Sequence, residues 1–87
     1  MVQNDRTKIT VDIHNKPYTI VGRESASHVR LVASLVDQKM HDIQEANKHL
    51  NTTMLAVLTA VNTMNDYLKL KEEYALLLGS HRKKEDN

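Results

Sequence analysis

Apolar and polar positions first alternate along this chain and then change to a helical rhythm. From Thr7 onward, Ile9, Val11 and Ile13 alternate with Lys8, Thr10 and Asp12. That is a period of two, the mark of a strand with one face buried. His14, Asn15, Lys16 and Pro17 interrupt it. Asn tolerates left-handed backbone and Pro cannot donate to a central ladder, so the four residues read as a turn. Tyr18, Thr19, Ile20 and Val21 favour extended backbone, and Gly22 ends the run. Two strands this close in sequence predict a hairpin over residues 7–22. A lone hairpin is marginal in water and must pack on something.

The next segment changes period. Val29, Val32 or Ala33, Val36, Met40 and Ile43 recur at three- and four-residue steps, with Leu31 and Leu35 widening the stripe. This predicts an amphipathic helix from about residue 25 to 46, capped by Ser25 or Ser27. Asn47, Lys48 and His49 end the stripe, and Asn51, Thr52 and Thr53 offer fresh capping side chains. A second, longer helix is expected from about Thr53 to Leu78, with Gly79 as its C-terminal stop. Its first half is apolar almost all round, and Met54, Val57, Val61, Met64 and Leu68 are expected to face the chain's own hairpin and first helix. Its second half carries a different surface. Ala60, Thr63, Tyr67, Leu70, Tyr74 and Leu77 follow a 3-4-3-4-3 spacing, which is a short heptad seam. Lys69, Lys71, Glu72 and Glu73 lie off it. No part of the chain is left to cover this seam, so a second copy is its simplest partner.

The elements therefore predict an α+β fold. A head of residues 1–50 (hairpin 7–22, helix about 25–46) precedes a long helix over 51–79 that forms an oligomeric coiled coil. The charged tail, 80–87, is expected to be disordered, and the polar first six residues frayed.

Composition narrows the function. A chain of 87 residues buries a modest core, and domains of this size lean on a disulfide, a metal or a partner subunit. There is no cysteine, which removes disulfides and thiolate metal sites and leaves oligomerisation. The formal net charge of +1 lacks the basic footprint of a nucleic-acid binder. No apolar run approaches the roughly 20 residues of a membrane span, and the N-terminus has no signal-peptide core. A cytoplasmic protein is the expectation.

Catalysis finds no support. There is no GxSxG, no P-loop and no glycine-rich turn, and Gly22 and Gly79 are the only glycines. Asp37 and Asp42 are five residues apart and do not share a helix face. His14, His28, His41, His49 and His81 are scattered without ligand spacing, and read as solvated. No catalytic residue, metal or cofactor is therefore assigned. Tyr67 and Tyr74, seven apart on the seam, read as interface core with wet hydroxyls. Asn62 sits in a mostly apolar stretch. It is either a polar residue on a wetted or hydrogen-bonded edge or a device that fixes how subunits pair. The oligomer interface is thus assigned to Val61, Asn62, Tyr67, Leu70, Tyr74 and Leu77. Lys16, Arg23 and Arg30 cluster near the hairpin and early first helix, as solvated charges or as a rim for an acidic partner.

Three strings then bear on family: KITVDIHNKPYTIVG at 8–22, SHVRLVASLVDQKMHDI at 27–43, and LAVLTAVNTMNDYLKLKEEY at 55–74. In this order, over about residues 7–78, they resemble the ZapA family of bacterial cell-division proteins, in the short form of Gram-positive rods. The resemblance implies a head on a coiled-coil helix, homodimers and possibly tetramers. It also implies binding to FtsZ, the tubulin-like division GTPase, and bundling of FtsZ filaments at midcell. By position, Lys16 and Arg30 match the charged head residues that the family uses for that contact. Without the resemblance, a generic helical oligomeric adaptor for a different protein is the alternative.

Overall fold

The computed structural model describes residues 6–85, with side chains for 6–79. The order of elements is β1 (Thr7–Ile13), β2 (Lys16–Gly22), α1 (Ala26–Ala46) and α2 (Thr52–Glu85). The fold is α+β, a hairpin and helix followed by a long helix.

The hairpin turns on two residues rather than four. His14 (φ 52°) and Asn15 (φ 66°) are both left-handed, as a type I′ turn requires and as the right-handed twist of the strands favours. Lys16 and Pro17, expected in the turn, belong instead to β2 and pair with Ile13 and Asp12. Proline is tolerated there because a two-residue loop makes Ile13–Lys16 the first hydrogen-bonded pair. Asp12–Pro17 is then a non-hydrogen-bonded pair, and the missing donor of Pro17 faces away from β1. On the outer face the next such pair, Thr10 and Thr19, brings its two hydroxyls to 3.1 Å.

The inner face of the hairpin lies on α1. Ile9, Val11, Val29 and Ala33 form the buried cluster, with Ile13, Ile20 and Ala26 packed against it. Ser25 caps α1, its Oγ accepting the His28 amide at 3.2 Å. At the far end the Asn47 amide donates to the Ile43 and Gln44 carbonyls. Asn51 then starts α2, its Oδ1 accepting the Met54 amide at 2.8 Å.

The long helix meets the head through a small contact with α1. Leu55 is fully buried there, beside buried Thr59, whose hydroxyl donates back to the Leu55 carbonyl at 2.7 Å. Farther along, Lys39 of α1 pairs with Asp66 of α2. The rest of the helix stands clear, and the molecule is only 15 Å thick across its shortest dimension.

Gly79 does not stop α2, which continues to Glu85, so residues 80–85 of the expected disordered tail are helical. No glycine has positive φ, so Gly79 makes no left-handed cap. A single helical glycine costs about 1 kcal/mol, which its good helix-forming neighbours Leu77, Leu78, Arg82 and Lys83 offset. Residues 1–5 and 86–87 lie outside the described residues.

Candidate self-association surface

On a helix of 3.6 residues per turn, α2 presents three distinct rows. Leu55, Thr59 and Asp66 form the first and meet α1. The second is the heptad seam, centred about 60° round the axis from the first. Tyr67 is 53% exposed, Leu70 66%, Tyr74 62% and Leu77 67%. Four large side chains on one face thus find no cover within their own chain. Lys71 leans over the Tyr67 ring, its Nζ 5.9 Å from the centroid, close enough for a cation–π attraction but leaving the seam open. Asn62 and Val61, also assigned to the interface, are exposed.

The third row is Met54, Val57, Val61, Met64 and Leu68. It was expected against the chain's own hairpin and first helix, and the structure corrects this: each of the five is at least half exposed. The reason lies in where α1 meets α2. The contact falls on the Leu55 row, roughly 170° away from this one, so the chain cannot cover both. Leu31, Val32 and Leu35 on α1 are likewise exposed.

The three basic residues do not form one patch. Lys16 opens β2 and Arg23 follows its end, roughly 20 Å apart along an extended strand. Arg30 lies on α1 beside a shallow cleft with Thr10, Asp12, Ser34 and Asp37. All three are exposed.

One cluster escaped the sequence reading. Asp37 of α1 accepts the His14 backbone amide on Oδ1 at 2.7 Å. His41 Nδ1 donates to the Asp37 carbonyl at 2.8 Å and lies 3.5 Å from its Oδ2. His14 Nε2 donates to Gln44 Oε1 at 3.3 Å, and the two imidazoles meet edge to face at 6.1 Å. His14 is therefore a half-buried anchor of the hairpin tip on α1 rather than a solvated side chain. No local spacing signals this, because the partners are 23 and 30 residues apart. Among the described residues no group of three or more His, Asp or Glu could hold a metal ion, and no helix is long and apolar enough to cross a membrane. The Lys39 ammonium, hydrogen-bonded to Asp66, holds its carboxyl below the usual carboxylate range.

The family model "Cell division protein ZapA" matches residues 9–84 of the chain. The chain belongs to the ZapA family of cell division proteins. It is 67% identical to the cell division protein ZapA of Oceanobacillus iheyensis over 86 residues, which is 99% of this chain and 100% of that one. It is 55% identical to the ZapA of Geobacillus sp. (strain WCH70), over 99% of each. Its fold superposes on a ZapA mutant dimer from Geobacillus stearothermophilus with a TM-score of 0.72. That structure is 48% identical, and the match covers 94% of this chain and 95% of that one. ZapA proteins thus include one whose solved form is a dimer, in keeping with a helix that leaves apolar rows open.

Proposed function

We propose that this chain acts as a homo-oligomeric cross-linker of FtsZ filaments at the division site. The observation that carries this reading is the exposed seam of Tyr67, Leu70, Tyr74 and Leu77 on a helix its own chain cannot cover. Burying two such seams against each other joins two heads. Each head offers the same weak filament-binding surface, to which Lys16, Arg23 and Arg30 contribute charge. Once one head is bound, the second meets filament at high effective concentration, so avidity exceeds single-site affinity without further chemistry. Two heads on different filaments make a bundle. Membership of the ZapA family supports this reading.

The test separates binding from bridging. Replacing Leu70 and Leu77 with glutamate is expected to give monomers that still co-sediment weakly with FtsZ polymer. Bundling, followed by light scattering, should be lost. Undiminished bundling by a monomeric variant would refute the proposal.

A further inference from the structure

One edge of the hairpin still has hydrogen bonds to offer. β1 and β2 make a two-stranded sheet, and bonded and non-bonded pairs alternate along it. Ile9 with Ile20, Val11 with Tyr18 and Ile13 with Lys16 exchange backbone bonds across the ladder. Lys8, Thr10 and Asp12 therefore turn their amides and carbonyls the other way, off the outer edge of β1. All three residues are exposed. Among the described residues no backbone group from another element bonds to that edge. An extended segment laid along it meets donors and acceptors at every second residue.

The same edge flanks the shallow cleft between β1 and α1. Buried Val11 and Ala33 line it, together with the charged Arg30 and Asp37. Asp37 lies at the hairpin tip, where its Oδ1 accepts the His14 amide. Its Oδ2 is 3.5 Å from His41 Nδ1, and a carboxylate has lone pairs left for a further cation. Arg30 lies two helical turns back, roughly 10 Å away. Among the described residues it has no carboxylate within ion-pair distance. The cleft thus has a negative end and a positive end. A strand added to β1 continues its pleat, so alternate side chains point into the cleft about 7 Å apart. The long arms of Arg30 and of an incoming lysine cover the difference.

We propose that the outer edge of β1 receives an extended segment of a partner protein as a third, antiparallel strand, with a basic residue for Asp37 and, two positions later, an acidic one for Arg30. The order follows from direction. Asp37 sits at the C-terminal end of β1, and an antiparallel segment passes that end first. Antiparallel pairing is also the more stable arrangement per residue. Main-chain bonds supply the affinity of such strand addition, and the alternate side chains its specificity. A segment with the two charges exchanged would set like against like at both ends of the cleft. The proposal rests on the reading of the head as the partner-binding part and gives Arg30 a definite ligand. It needs no second copy of the chain.

The test uses the full chain and a nine-residue peptide with blocked ends. Threonine fills the odd positions, and valine, lysine, glutamate and valine fill the even ones in that order. A second peptide has lysine and glutamate exchanged. Amide hydrogen exchange is followed by NMR. The first peptide is expected to protect the amides of Lys8, Thr10 and Asp12 and to leave those of Thr19 and Val21, which face outward from β2, as they were. The exchanged peptide should bind about threefold more weakly or worse, because two exposed ion pairs become two repulsions. Arg30→Ala, at an exposed helix position, should remove much of that preference without disturbing the fold. Unchanged exchange at the three β1 amides in millimolar peptide would overturn the proposal. Equal binding of the two peptides, or protection of the β2 amides instead, would do the same. No filament takes part, so failure here is distinguishable from failure of the cross-linking role.

Discussion

Leu55 is the side chain on which the junction of head and long helix depends, and truncating it to alanine should show how much. Among the described residues it is the one large side chain with no exposed surface. Leu55→Ala removes three carbons, worth roughly 2.4 kcal/mol at about 0.8 kcal/mol each. A cavity term adds to this when the surroundings cannot collapse, which gives about 2–5 kcal/mol for such changes. Here the contact of α2 with α1 is small and includes Thr59 and an exposed ion pair. The helix can therefore shift to fill part of the space, and we expect about 3 kcal/mol. For a domain of this length each kcal/mol moves Tm by about 4–8 °C, so the variant should melt roughly 12–24 °C lower by far-UV circular dichroism. Parent and variant must be compared across protein concentrations, because partner binding raises Tm by mass action. Val21→Ala, at a half-exposed strand position, should move Tm by only a few degrees. A Leu55→Ala protein that melts within about 4 °C of the parent at every concentration would refute the view that this contact holds the helix to the head.

Two further outcomes follow from local geometry. Asn15 holds φ at 66°, so Asn15→Ala should cost about 1 kcal/mol in urea unfolding, and Asn15→Gly should be near neutral. The Asp66 carboxyl is held below its ordinary value by Lys39. Its pairing therefore stabilises the fold above the unfolded-state pKa of about 3.9, and that contribution is lost as pH falls through the lower folded value. Asp66→Asn should lower Tm slightly at neutral pH and not at all in strong acid. A pH-independent difference would show that the pair contributes nothing through charge.

Periodicity made much of this architecture legible, and its errors share a cause. Alternation at Ile9, Val11 and Ile13 identified the inner strand face, and the three-four rhythm of Val29, Ala33, Val36 and Met40 identified the inner face of α1, because one-sided burial imposes those periods. Periodicity reports which residues share a face but not which neighbour the face meets. Periodicity alone therefore assigns the Met54–Leu68 row to the wrong side of the molecule. Residue type alone makes Pro17 and Gly79 look like punctuation. The strand accepts Pro17 where no donor is needed, and the helix passes through Gly79 because its neighbours sustain it. The His14–Asp37–His41 anchor was invisible because it joins residues far apart in the chain. Exposure of the seam could be foreseen from a simple imbalance: α2 carries more apolar rows than a single α1 can cover.

Pro17 has one further effect. A two-stranded sheet ends in two raw borders, each able to recruit a stray strand from a neighbouring molecule. On β2 the proline leaves a gap in the outward line of amide donors, and an incoming strand would find that rung missing. Lys16 adds a charge that a stacked copy would have to bury. The chain thus resists growing into a strand-paired filament of its own, at least along that border.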